Sequence, residues 1–242
     1  MSTHATPPGV FGGSYASDRR AKPELLFRLR ARAAVAAYAA RRYLGRSSHL
    51  SILDMGCADG EALRYLDALL PRSGITGVEY SLELIGAARG MPASIVMVEG
   101  DCTRLPPSLA ADSFDMVSAL ALLEHLQSPL DAVRQAHAAL KPAGIFVATC
   151  PAPAWERLSS RAGMLREDHY VSDMGKSAMI RTVAAAGFSV LEYRRFMWAP
   201  LSALSYCGIE IPPETSLRLD RVLGAFRIVN WLFVNQFIVG RK

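Results

Sequence analysis

Between residues 51 and 149, five short apolar runs alternate with stretches of helical periodicity. The runs fall at 51–55, 75–79, 95–98, 114–118 and 144–149, with helical stretches at 60–70, 81–89 and 129–140 among them. Strands separated by helices predict βαβ crossovers, because two parallel strands cannot be joined by a tight turn. Such a sheet is covered by helices on both faces, so its strands read as apolar throughout. Ser128-Pro129 offers a cap and first turn for the helix at 129–140, and Lys141-Pro142 ends it. The fold class is therefore α/β, a doubly wound, mostly parallel sheet.

The flanks are less regular. Residues 1–22, rich in Gly, Ser, Pro and Ala, predict an irregular arm. Pro23 then opens a long helical stretch that Gly45 closes. Arg28, Arg30, Arg32, Arg41 and Arg42 predict a solvated basic helix, in preference to a cap over a pocket or a contact with an anionic surface. The apolar stretch Ala33–Ala40 has arginines on both sides and no cleavage-like site after it, which reads as helix rather than leader. Beyond Cys150 the pattern loosens through Tyr170. A helix at 173–186 ends at Gly187, a strand follows at 188–194, and a Leu/Arg helix near 216–226 leads into an apolar strand at 232–239. Without repeats or linkers, the chain reads as one domain: 1–45 arm and cap helix, 46–150 ligand-binding half, 151–242 substrate-side insertions and final strands.

Composition narrows the function classes. Of 242 residues, 51% are hydrophobic and 20% charged, with a net charge of +5. No basic run interleaved with aromatics marks a nucleic-acid track. Cys57, Cys102, Cys150 and Cys207 lie far apart without a C-x-x-C pair, which predicts reduced, mostly buried thiols in a cytoplasmic protein. No apolar run is long enough to span a bilayer.

The segment Ile52-Leu53-Asp54-Met55-Gly56-Cys57-Ala58-Asp59-Gly60-Glu61 carries the chemistry. A strand runs through small residues into a helix, bringing main chain close to a ligand at the carboxyl edge of the sheet. A dinucleotide fingerprint would need a small residue where Glu61 stands. Asp59 and Glu61 also place negative charge at the helix start that a pyrophosphate would occupy. Glu79 ends the second strand, placed to accept from both hydroxyls of a ribose, and Asp101 follows the third, placed to accept from an adenine amino group. Any one of these acids could be a turn or cap residue. Together, at successive strand ends, they describe a site for a cationic nucleoside better than one for NAD or ATP.

With those residues in place the chain resembles the class I S-adenosylmethionine-dependent methyltransferases. Asp54-Met55-Gly56-Cys57-Ala58-Asp59-Gly60 is similar to their D-x-G-x-[GA]-x-G motif, with Ala58 at the middle glycine. Ser113-Phe114-Asp115-Met116-Val117 resembles the fourth-strand motif, and Leu140-Lys141-Pro142-Ala143-Gly144-Ile145 the turn into the fifth. The resemblance covers 51–151 and, more loosely, 168–190. It implies a seven-stranded sheet whose last strand, at 233–239, runs antiparallel. It also implies S-adenosylmethionine as cofactor, contacted by Asp54, Gly56, Ala58, Gly60, Glu79, Tyr80, Asp101, Cys102 and Leu120.

Methyl transfer is an in-line displacement, helped by a positioned base when the nucleophile is a hydroxyl. Ser118-Ala119-Leu120-Ala121 stands where many methyltransferases of exocyclic nitrogens carry [DN]-P-P-[YF], which turns the expectation toward oxygen, then carbon. Leu122-Leu123-Glu124-His125-Leu126 resembles the Glu-His element of the quinone-biosynthesis branch. Ala121 stands in the area where some of those relatives add a metal-holding glutamate, so no metal is expected. His125 is a candidate base, with orientation of the methionyl group or packing at a helix start as the other readings. His169 is a second candidate, with a bond to the nearby helix as its bland reading, and Tyr15 either closes over the cofactor or belongs to a loose tail. The expected acceptor is a small molecule. Arg218, Arg221 and Arg227, with Met197, Trp198, Leu201, Leu204, Tyr206 and Ile209, leave a membrane-surface contact open beside ordinary core packing. RNA or protein methylation, a silent adenosyl-binding scaffold and a nucleotide-dependent oxidoreductase are the competing classes.

Overall fold

In the computed structural model the described residues are 21–45, 49–88, 90–109, 111–153, 171–205 and 211–242, together with 16, 155, 208 and 209. Their elements run α1 (Pro23–Tyr43), β1 (Ser51–Met55), α2 (Glu61–Leu69), β2 (Gly74–Glu79), α3 (Leu82–Ala87), β3 (Ile95–Glu99) and β4 (Phe114–Leu120). They continue as α4 (Pro129–Ala139), β5 (Leu140–Pro151), α5 (Lys176–Ala185), β6 (Ser189–Trp198), α6 (Ala199–Leu204), α7 (Pro213–Leu223) and β7 (Phe233–Arg241). The strands form a seven-stranded sheet ordered β3-β2-β1-β4-β5-β7-β6. β7 alone runs against its neighbours, antiparallel to both β5 and β6. The strand order reverses between β1 and β4, so a crevice opens outside their carboxyl ends.

Alternation along each strand supplies both cores. Ile52, Met116, Ile145, Val147, Phe237 and Val239 face one side, against α1, α2 and α7. Leu53, Met55, Val117, Phe146, Ala148 and Ile238 face the other, against α4 and α5. The predicted Pro23 start and Gly45 stop of α1 stand, with Gly45 left-handed at φ 79°. Its predicted solvated character does not. Ala33, Ala34, Val35, Ala36, Ala37, Ala39 and Ala40 are buried, because small side chains let α1 approach the sheet and α2 closely. Arg41 and Arg42 are exposed at its end, where Arg41 donates to the Leu69 carbonyl, while Arg32 reaches inward and donates to Asn235 Oδ1 of β7 at 3.3 Å.

Three further details depart from the pattern read in the sequence. Ser128 precedes α4 but its hydroxyl makes no cap bond; Pro129 at the first turn marks the start. Strand β5 begins at Leu140, and Lys141-Pro142-Ala143-Gly144 form a bulge opposite Asp115 before pairing resumes at Ile145. Asp115 itself is structural: Oδ2 accepts from Ser51 N at 2.8 Å and Oδ1 pairs with Lys141 Nζ at 2.8 Å, tying the amino ends of β1, β4 and β5 together. Cys57, Cys102 and Cys150 are buried free thiols, as expected, while Cys207 lies outside the described residues. Among the described residues no helix is long and apolar enough to cross a membrane.

Candidate active site

The chain leaves β1 at Met55 and enters α2 at Glu61, a turn with room for few conformations. Gly56 (φ 75°), Ala58 (φ 51°) and Gly60 (φ 74°) are all left-handed. Glycine takes that conformation freely; for Ala58 it costs about 1–2 kcal/mol, which the surrounding contacts must hold in place. The main-chain N–H groups of Gly56 and Cys57 both donate to Val78 O, at 2.8 and 3.0 Å, fastening the turn to β2.

Glu79 closes the arrangement. It ends β2, is 8% exposed, and accepts from Ala58 N through Oε2 and from Ser81 N through Oε1, each at 2.9 Å. One carboxylate thus bridges the loop after β1 and the loop after β2. Each oxygen keeps a lone pair for a further donor. Asp54, 1% exposed, accepts from Ser118 Oγ of β4 at 2.6 Å. Burial pushes its pKa up to about 7, with the Glu79 charge adding to the rise and the Ser118 hydroxyl opposing it. Asp59 is buried beside them. Residues 51–61 and 74–88 contain no Lys or Arg. Arg64, the first basic side chain of α2, lies 3.9 Å from Glu61 and donates to Gly90 O. The acceptors therefore suit hydroxyls and a cation, and these two segments offer a diphosphate no basic side chain.

The other residues fall around this bridge. Asp101 is exposed after β3, its Oδ1 accepting from Thr103 N and Thr103 Oγ1, both at 2.7 Å, so its own turn fixes its orientation. Cys102 turns its side chain into the core beside Gly56, and burial pushes its thiol well up. Tyr80 is half exposed. Leu120 ends β4, followed by Ala121 (φ 57°), whose N–H donates to both Thr149 O and Thr149 Oγ1. Leu122 then presses on Gly56, so that a Cβ there would lie 2.7 Å from Leu122 Cδ1.

Beyond Leu122, a single 3-10 turn (Leu123–His125) presents Glu124 and His125. The His125 Nε2 is 4.0 Å from Glu124 Oε1. Glu124 is 2% exposed, and neither carboxylate oxygen accepts a hydrogen bond from the described residues. Its carbonyl accepts from Val171 N and Ser172 N, and Ser172 Oγ donates to Leu126 O, stitching the segment before α5 onto this turn. In the sequence Glu124 and His125 stand together as a Glu-His element, of which His125 alone is singled out as a candidate base. His169 and Tyr15 lie outside the described residues.

A family model described as a methyltransferase domain matches residues 16–193. The chain belongs to this family, the class I S-adenosylmethionine-dependent methyltransferases. Among curated relatives, a demethylmenaquinone methyltransferase of Chlamydia muridarum is 35% identical over 104 residues, covering 42% of this chain and 43% of that protein. An uncharacterised 37.1 kDa protein of a transposon in Streptomyces fradiae is 32% identical over 113 residues, covering 45% of this chain and 32% of that protein. The chain thus spans under half the length of either. Among solved structures, a SAM-dependent methyltransferase of Archaeoglobus fulgidus has a TM-score of 0.60 at 18% identity, covering 87% of this chain and 94% of that one. A phosphoethanolamine N-methyltransferase of Haemonchus contortus in complex with S-adenosylmethionine has a TM-score of 0.61 at 15% identity, covering 85% and 51%. The [4+2]-cyclase SpnF has a TM-score of 0.60 at 19% identity, covering 87% and 81%. At these identities the likeness is one of fold, and a cyclase among methyltransferases makes the same point. The family's methyl donor is S-adenosylmethionine, and the donor set around Glu79 fits it.

Proposed function

We propose that this methyltransferase moves a methyl group from S-adenosylmethionine to a small-molecule acceptor, at oxygen. The observation that carries the reading is the buried Glu79 carboxylate bridging the two loops, in a segment with acids but no bases. When bound, the cofactor supplies an electrophilic methyl on a sulfonium. Glu79 accepts from the ribose hydroxyls, and Asp101 from the adenine amino group. The turn of Gly56, Ala58 and Gly60 offers its main chain to the ligand, packed by Leu122 at Gly56 and by Met91 at Gly60, and Tyr80, Cys102 and Leu120 border the same edge. Leu122 supports the turn from the β4 side.

For a hydroxyl acceptor, His125 takes the proton at Nε2 as the carbon–oxygen bond forms. Glu124, buried 4.0 Å away, then faces the new imidazolium and stabilises it. A second reading, transfer to carbon of an apolar ring, is favoured by the likeness to a demethylmenaquinone methyltransferase. Transfer of labelled methyl into a panel of phenols, hydroxyacids and quinols decides between them. Label in an ether supports oxygen transfer and label on ring carbon supports the second reading. Binding of S-adenosylhomocysteine without transfer to any acceptor supports a silent scaffold and overturns both. His125→Gln should lower kcat by about 10²-fold or more for a hydroxyl acceptor with KM for the cofactor unchanged.

A further inference from the structure

We propose that the outward face of α7 and the turns after it dock on an anionic lipid bilayer. Helix α7 buries Pro213, Ser216, Leu217 and Asp220 against the protein. Its outer side is nevertheless apolar. Leu219 and Val222 are exposed, the latter by 61%, and Phe226 continues the same ridge one turn on. The turn is held by Ala225 N donating to Val222 O and Phe226 N to Leu223 O. Trp231 follows, 66% exposed, its carbonyl accepting from Trp155 Nε1 at 2.8 Å. A helix that merely covers a core turns polar residues to water. This one has apolar residues on both sides.

Exposed arginines flank the ridge. Arg218 and Arg221 are exposed on α7, the Arg221 guanidinium lying over the Tyr38 ring, and the exposed Arg195 donates to Asn230 O at 2.8 Å. From the start of α7 to Trp231 the acids are Glu214, which the Tyr65 hydroxyl reaches, and Asp220. Asp220 is 1% exposed and turned inward, accepting from Met197 N at 2.7 Å and Trp198 N at 3.1 Å. Apolar side chains rimmed by guanidinium groups match the boundary between anionic headgroups and acyl chains. Two copies meeting through this face would oppose arginine with arginine, which disfavours self-association.

Position gives the surface a purpose. Strand β6 runs parallel to β1 and β4, so its carboxyl end and the helices that follow lie at the ligand edge of the sheet. The Tyr65 hydroxyl, 3.3 Å from Glu214 Oε2, ties the start of α7 to α2, the helix that begins beside Gly60. Docking through α7 therefore brings the transfer edge to the membrane surface. The inference does not depend on the acceptor's identity.

The test is co-sedimentation of the full chain with vesicles of phosphatidylcholine alone and of phosphatidylcholine with phosphatidylglycerol. Binding is expected to the anionic vesicles only and to weaken with added salt. Leu219→Asp with Phe226→Asp should weaken it by about tenfold or more, and Arg218→Glu by about fivefold. S-adenosylhomocysteine affinity should stay at the native value in both, which shows the variants folded and keeps the outcome separate from the catalytic reading; Val222→Ser with Phe226→Ser replaces the double aspartate if it does not fold. Absence of binding to anionic vesicles, equal binding to neutral ones, or binding indifferent to these substitutions overturns the proposal. So does a dimer in sedimentation that the same substitutions dissociate.

Discussion

Replacing Glu79 with alanine separates its bridge between two loops from the ribose contact proposed for it. Its bonds to Ala58 N and Ser81 N are both 2.9 Å long and charge-assisted. Such bonds contribute about 1.5–3 kcal/mol each, and loop N–H groups released toward water recover part of that. A net loss of roughly 2–4 kcal/mol follows, within the ~5–15 kcal/mol that holds a domain folded. At roughly 2–4 °C per kcal/mol for a chain of this size, the ligand-free melting temperature should fall by about 5–15 °C. Ligand affinity is a separate quantity. Losing even one ribose bond to a carboxylate costs more than about 1.4 kcal/mol, so S-adenosylhomocysteine should bind at least about tenfold more weakly. Calorimetric melting of the free protein and titration with the ligand read the two effects independently. A lowered melting temperature with unchanged affinity would mean that Glu79 clamps the loops and touches no ribose. An unchanged melting temperature would refute the bridge itself.

Three further outcomes are expected. Gly56→Ala places a Cβ at φ 75° and 2.7 Å from Leu122 Cδ1, so it should weaken S-adenosylhomocysteine binding by roughly fivefold or more, with partial recovery in the Gly56→Ala, Leu122→Ala double variant, read by titration. Asp220→Ala leaves the N–H groups of Met197 and Trp198 without their acceptor under α7, at a residue already left-handed (Met197, φ 64°); urea midpoints should report a loss of about 2–4 kcal/mol, with Asp220→Asn in between. Asp54 holds its proton up to about pH 7 in the folded chain against an ordinary value of 3.8, so the stability it confers is full below about pH 4 and lost as pH rises through 7; Asp54→Asn should become more stable relative to the native chain between pH 5 and pH 8, and a pH-independent difference in urea midpoint would contradict the assignment.

Most of the sheet was legible because buried parallel strands are apolar throughout, and the runs from Ile52 to Thr149 have no other reading. The turn at Gly56–Gly60 was legible because left-handed backbone selects small residues. Alanine hid the burial of α1: it carries little hydrophobic signal, and the flanking arginines dominate the pattern, yet its small volume is what brings the helix against α2 and β5. The bulge at Lys141–Gly144 was hidden because the proline that ends α4 also reads as a gap before the next strand. Asp115 belongs to the fourth-strand motif but stands at the end of the sheet opposite Glu79 and Asp101, where its partners are Ser51 N and Lys141. Glu124 stood in the Glu-His element of the sequence, but its burial without a hydrogen-bond partner among the described residues belongs to tertiary structure alone.

Charge counting shows where sequence and structure part. The sequence sets Asp59, Glu61, Glu79 and Asp101 as acids at successive strand ends, beside Asp54 of the glycine-rich motif. In the fold they are unequal. Asp54 lies between β1 and β4, bonded to Ser118 and close to half-protonated at neutral pH, so it contributes only a fraction of a charge. Glu79 stands between two loops with lone pairs left over, able to meet a ligand directly. The preference proposed for an adenosyl sulfonium over a diphosphate therefore rests on where the acids stand: main-chain N–H groups at a helix start are enough to hold a diphosphate, and here Glu79 already takes the Ala58 N–H while Glu61 sets a carboxylate in the first turn of α2.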